Sequence, residues 1–174
     1  MKILYRHILG YTFGLAIFLI LIPYSLYKLS WLDIKFFDFV LFKSDLLRII
    51  IFLPVFVVGI VFAIWSNIFL LKVGEGGPAE GFGVAISPKT KNLVTSGPYR
   101  YSRNPMVFGA FTLYFSIAIF LNSMICILTL LFFIFVVRFY LKYSEEKRLV
   151  NDFGQEYIEY RKRVPMIFPF IGLK

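Results

Sequence analysis

Two apolar runs, residues 106–121 and 124–141, are separated only by Asn122-Ser123 and are flanked on both sides by polar motifs. Before them stands Gly97-Pro98-Tyr99-Arg100-Tyr101-Ser102-Arg103-Asn104-Pro105-Met106. After them come Glu145-Glu146-Lys147-Arg148-Leu149 and Phe153-Gly154-Gln155-Glu156-Tyr157-Ile158-Glu159-Tyr160. A turn at Asn122-Ser123 makes the two runs antiparallel helices, which returns the arginines of the first motif to the glutamates of the second. A site is therefore expected at the mouth of a helical hairpin, with Arg103 and Glu145 sharing one ligand.

Hydrophobic residues make up 59% of the 174-residue chain, well above the share in a soluble domain. Runs 8–27 and 49–71 are long enough to cross a bilayer, because about 20 apolar residues cover its roughly 30 Å hydrocarbon core. The hairpin supplies two more spans; its first arm, at 16 residues, rises only about 24 Å and suits thinned lipid. The expected fold is all-α, one polytopic membrane domain over 1–174 with four transmembrane helices. The 31–42 segment, which mixes Phe36, Phe37, Phe39 and Phe42 with Asp33, Lys35 and Asp38, is expected to lie in the interface as a lid or belt. A polar loop over 72–105 would form the site. Cytoplasmic amphipathic helices are expected over 142–163, broken by a glycine cap at Phe153-Gly154, and the tail from Val164 is expected to fold back toward lipid.

Of the 19 Lys and Arg, only Lys28, Lys35, Lys43 and Arg48 lie in the 28–48 connection. The rest fall on the other side of the spans, which predicts both termini and the long loop in the cytoplasm. The net charge of +9 is thus concentrated on one face, where it attracts anionic lipid head groups. Nucleic acid is a poor partner, since no soluble basic domain carries the charge. The first run comes after Lys2 and Arg6 but lacks a small-residue cleavage site, so a retained anchor is expected. With Cys126 the only cysteine and His7 the only histidine, a disulfide framework, a metal centre and a paired Ser-His or Cys-His nucleophile are all unsupported.

Each motif has a plain reading beside a functional one. Asn104-Pro105 suits a helix N-cap and first turn, yet a helix N-terminus with Arg100 and Arg103 upstream also suits a carboxylate or phosphate. Tyr99 and Tyr101 fit an aromatic belt, or a flat adenine or sulfonium cation. Glu145 and Glu146 are either a solvated turn or a pair that holds ribose hydroxyls, binds an ammonium group or serves as base. Arg138, seven residues before Glu145 and on nearly the same helical face, either snorkels or holds an anionic substrate group. Gly81-Phe82-Gly83 comes after no strand signal, so a dinucleotide fold is unsupported.

The two motifs, their order and the intervening hairpin resemble the integral-membrane methyltransferases of the isoprenylcysteine carboxyl methyltransferase and phospholipid methyltransferase superfamily, over roughly residues 74–169. The resemblance implies S-adenosylmethionine in a cytoplasm-facing pocket and a lipidic or small hydrophobic methyl acceptor arriving from the membrane. Carried over by position, Gly97, Pro98, Tyr99, Arg100, Tyr101, Arg103, Asn104, Pro105 and Met106 would line the cofactor site, with Glu145 and Glu146 completing it. Arg138 and Tyr140 would face the acceptor, and Arg138, Glu145 and Asn104 are the catalytic candidates. Many relatives have His where this chain has Asn104, and Asn cannot take a proton near pH 7. Two alternatives stay open at this point. One is a nicotinamide-dependent membrane reductase of the sterol reductase type, which shares a similar C-terminal layout. The other is a non-enzymatic scaffold or transporter, although no span holds the buried Asp or Glu expected of a transport pathway.

Overall fold

The structure, a computed structural model, describes residues 8, 12, 14–36, 40–76, 80–81, 84–85 and 90–169. Lys2, Arg6, His7, Phe37, Asp38, Phe39, Gly77, Pro78, Phe82, Gly83, Pro88 and Phe170 lie outside the described residues. The fold is all-α: helices α1 (Ala16–Phe36), α2 (Asp45–Lys72), α3 (Pro105–Phe120), α4 (Met124–Tyr140) and α5 (Glu146–Arg163), the last kinked at the expected Gly154, where φ is +55°. A π turn, Leu141–Glu145, joins α4 to α5 without a break. Three helical stretches are long and apolar enough to cross a membrane, Ala16–Phe36, Asp45–Lys72 and Met124–Arg163, and α3 is a shorter apolar helix.

The tightest helix pair is α2 with α3. A Cβ on Gly59 would lie 2.6 Å from the backbone nitrogen of Leu113, and one on Gly109 would lie 2.6 Å from that of Ala63. Glycines at these crossing points let the two backbones touch, and close approach of this kind replaces the hydrophobic driving force that is missing within lipid. Phe62 of α2 then packs edge-on against Phe108 of α3, with ring centroids 4.8 Å apart.

A second core joins α1, α3 and α4 through Leu26, Tyr114, Ala118, Cys126 and Leu130. The first turns of α1, Ala16–Leu21, are π-helical. This spacing departs from the α ladder, and the Tyr114 hydroxyl donates to the Phe18 carbonyl at 3.0 Å. Most of α4 faces outward, with Phe132, Phe133, Phe135 and Phe139 exposed.

Two connections differ from the sequence expectation. Residues 31–36 continue α1 instead of forming a separate segment, and Asp33 turns inward to only 3% exposure. Its carboxylate accepts from the Ser123 hydroxyl and, at 3.2 Å, from the Ile125 amide. Asp33 thereby joins the N-cap Ser123 in satisfying the first turn of α4. Asn122 completes this end of the bundle, its side chain exchanging bonds of 2.8 and 3.0 Å with the backbone of Phe42.

The long polar loop is also more organised than its length suggests. The amides of Lys91 and Asn92 donate to the Gly74 carbonyl at 2.8 and 3.4 Å, closing the loop at its base. Glu80–Gly81 pairs antiparallel with Val84–Ala85. Only residues 93–104 lead from that base to the hairpin.

Candidate functional site

Gly97–Arg100 forms a short 3-10 turn at the loop end of the bundle. Gly97 has φ +60°, and a Cβ there would lie 2.5 Å from the Phe69 ring, so glycine lets the turn press onto α2. Pro98 is buried and Arg100 exposed. Tyr101 is half-buried with its ring centroid 6.4 Å from that of Trp65 on α2. The Tyr99 carbonyl accepts from the Tyr160 hydroxyl at 2.6 Å, which ties this turn to α5.

Arg103 closes the arrangement. Its guanidinium donates to the Glu146 carboxylate across the hairpin, with the two side chains 10% and 6% exposed. The second oxygen of Glu146 accepts from Arg161 at 3.4 Å. Beside them lies Tyr157, 1% exposed. Its hydroxyl and the Arg103 Nε–H are buried without a hydrogen-bond partner in the protein. Buried donors in this state are costly unless something else receives them.

The tail runs beneath the motif. The amide of Arg103 donates to the Pro165 carbonyl at 2.9 Å and that of Asn104 to the Met166 carbonyl at 3.0 Å. The Asn104 side-chain amide donates to the same Met166 carbonyl at 2.9 Å. The fully buried Ser102 hydroxyl donates to the Ile167 carbonyl at 2.7 Å. Instead of folding wholly toward lipid, residues 165–167 act as a strap across the motif, and only then does Phe168 meet Phe108 of α3, 6.3 Å away. Backbone donors that precede a helix need acceptors, and the tail carbonyls provide them.

The glutamates part company. Glu146 joins Arg103, whereas Glu145 pairs with Arg148 on its own helix at 2.6 Å, and Arg148 also reaches Asp152 at 3.2 Å. The sequence expectation that Glu145 stands with Arg103 is thus met by its neighbour. The π turn Leu141–Glu145 is the reason, because its extra residue rotates α5 relative to α4. The same turn removes the shared face assumed for Arg138 and Glu145. Arg138 is exposed and makes no hydrogen bond or ion pair with either glutamate, and Tyr140 is half-buried in the last turn of α4. Asn104 holds the N-cap position without a capping side-chain bond, since its amide is committed to the strap. Pro105 is buried and Met106 half-buried in the first turn of α3.

Residues that the motif reading did not place at the centre are Ser102, Tyr157, Tyr160 and Arg161. Their signal in the sequence is the Tyr157-Tyr160-Arg161 spacing on an otherwise polar helix. These tyrosines lie in α5, beyond the apolar run of α4. Burial pushes the Tyr157 hydroxyl above its ordinary value, and the Glu146 carboxylate adds to this while Arg103 opposes it. Burial also pushes Tyr160 well above the usual tyrosine range, with smaller contributions from Tyr99 and Tyr157. Both are neutral donors at any ordinary pH.

A profile of phospholipid methyltransferases matches residues 47–156. The chain is also similar to protein-S-isoprenylcysteine O-methyltransferases: 40% identical over 88 residues to the human protein, 39% over 88 residues to that of Mus musculus, and 37% over 81 residues to that of Schizosaccharomyces pombe. These alignments take in 49%, 49% and 45% of this chain but only 30%, 30% and 34% of the relatives, so the chain spans about a third of their length. No solved structure matches it.

Proposed function

Because the chain belongs to the phospholipid methyltransferase family, we propose that it transfers a methyl group from S-adenosylmethionine to a lipidic or small hydrophobic acceptor at the cytoplasmic membrane face. The observation that carries this reading is the buried Arg103–Glu146 pair with Arg161 and the unpartnered Tyr157 hydroxyl beside it.

The residues fit the chemistry of that cofactor. Its carboxylate suits Arg103 and Arg161. Glu146 suits its ammonium group or ribose hydroxyls, and the faces of Tyr99 and Tyr101 suit its adenine or sulfonium. Two buried donors, Tyr157 O–H and Arg103 Nε–H, stand beside the pair and suit the cofactor's carboxylate. Gly97, Pro98, Arg100, Asn104, Pro105 and Met106 complete the proposed lining, while Glu145, paired with Arg148, stands at its edge.

Bound there, S-adenosylmethionine supplies an electrophilic methyl group on a sulfonium. The work left to the protein is to align the acceptor and exclude water. Asn104, with its amide held by the strap, takes no part in proton transfer. A carboxylate or thiolate acceptor needs no base; an amine acceptor would give its proton to Glu145 or Glu146. Arg138, exposed in the last turn of α4, would receive an anionic group on an acceptor entering from lipid.

The test is calorimetric titration of the detergent-purified protein with S-adenosylmethionine, S-adenosylhomocysteine and NADPH in parallel. Saturable binding of both adenosyl ligands and none of NADPH is expected. Binding of NADPH alone would overturn the reading in favour of a reductase.

A further inference from the structure

Beside the proposed methyl-transfer site, and sharing Glu146 and Arg161 with it, lies a cleft of about 300 Å³ that Lys142, Lys147, Asn151 and Ile158 also line. Its charge is unbalanced. The single acid, Glu146, already has one oxygen on Arg103 and the other on Arg161. Neither Lys142 nor Lys147 pairs with an acid among the described residues. Two ammonium groups are left facing the cleft, with the Asn151 amide as a neutral donor nearby.

The cleft also borders an exposed aromatic surface. The Lys142 amine lies 5.4 Å above the centroid of the Tyr143 ring. Tyr143 stacks on Phe139 at 6.0 Å and 12°, and Phe139 meets Phe135 at 4.7 Å. All three rings are exposed, and they form a continuous aromatic ladder from the apolar surface of α4 to the lysine at the cleft. A solvated basic patch would have no need of this ladder.

We propose that the cleft binds the phosphate of an anionic phospholipid, held by Lys142 and Lys147 with Asn151, while the acyl chains descend along the Tyr143–Phe139–Phe135 ladder. Position favours this occupant: Lys142 stands two residues past the apolar helix α4, and cations just beyond an apolar span attract anionic head groups. Charge supports it as well, because the unpaired cations exceed what the cleft's own acid neutralises. Lys142 and Lys147 take no part in the proposed cofactor site. The lipid bound here is a resident of the protein surface and is not consumed.

Native mass spectrometry of the full chain released from micelles doped with phosphatidylglycerol or phosphatidylcholine tests this. One phosphatidylglycerol should be retained in preference to phosphatidylcholine, and inorganic phosphate should not displace it. The double variant Lys142→Ala/Lys147→Ala should weaken that retention by about 30-fold. Lys162→Ala/Arg163→Ala, with the same loss of charge at the far end of α5 and outside the cleft, should leave it unchanged. Equal weakening in the two double variants would overturn the proposal in favour of diffuse attraction. Absence of a preference for phosphatidylglycerol, or displacement by inorganic phosphate, would overturn it too.

Discussion

Arg103 and Glu146, 43 positions apart, form a nearly buried ion pair that joins the loop before α3 to the start of α5. The whole α3–α4 hairpin lies between them in sequence, so the pair forms only if the hairpin closes in register. It is therefore both a fastening for the fold and the centre of the proposed site.

Removing one partner leaves the other charge buried. Arg103→Ala should cost about 3 kcal/mol or more of stability and lower the thermal midpoint in detergent. Glu146→Gln keeps the shape and should cost less. Combined in a double-mutant cycle, the two should show a coupling of about 1 kcal/mol or more. Additive effects would mean that the ion pair contributes nothing of its own.

The two glutamates should behave differently. Glu145 sits in a partly exposed pair with Arg148, a contact of a kind worth only a few tenths of a kcal/mol, roughly 0.3–0.5. Glu145→Gln should therefore leave the affinity for S-adenosylmethionine within about twofold, while Glu146→Gln weakens it by about tenfold or more. Calorimetry on both variants decides the matter, and the opposite ranking would place the ligand on the other face of α5.

Tyr157→Phe separates ligand contact from packing. Its hydroxyl has no hydrogen bond of good geometry in the protein and interacts with Arg103, so stability at neutral pH should change little, whereas cofactor affinity should fall by about fivefold to tenfold. The pH dependence comes from the raised folded-state value. The stabilisation linked to keeping this hydroxyl neutral is fully present below its ordinary value of 10.0 and is lost as pH rises above it. Alkaline unfolding curves of the variant should accordingly begin later than those of the native protein.

The strap predicts a local effect. Ser102→Ala removes the buried hydroxyl bonded to the Ile167 carbonyl, and Asn104→Ala removes the amide bonded to Met166. Each should cost about 1–2 kcal/mol. Hydrogen exchange should speed up at the Arg103 and Asn104 amides, which donate to Pro165 and Met166. Protection unchanged at both amides would show that the strap is held from elsewhere.

The α2–α3 contact predicts intolerance to size. Gly109→Ala places a carbon 2.6 Å from the Ala63 backbone, and relieving that overlap should cost about 1–3 kcal/mol. Thermal unfolding in detergent measures it.

Much of this was legible from residue order. The apolar runs, the Asn122-Ser123 turn and the charged motifs at either end of the hairpin specify helices and bring one polar cluster toward another, because helix length and chain reversal depend on local composition. Phase was not legible. Which glutamate meets Arg103, and where Arg138 points, both depend on the π turn at Leu141–Glu145. A π turn leaves little trace in hydrophobic periodicity, since its residues are as compatible with an α-helix.

The same division holds at the other end of the molecule and in the tail. Asp33 reads as one charge in a mixed interfacial segment, and Val164-Pro165-Met166 as a return to lipid. The sequence by itself determined an all-α membrane-type fold and the identity of the charged and aromatic groups that crowd its loop end, since these depend on local composition and on the cost of leaving backbone unsatisfied in lipid. Only the tertiary structure decided that Asp33 serves α4, that the tail carbonyls receive Ser102, Arg103 and Asn104, and that Tyr157 is buried beside Arg103 and Glu146. Those outcomes depend on which donors lose water together when distant segments pack, and that information is carried by no single stretch of the chain.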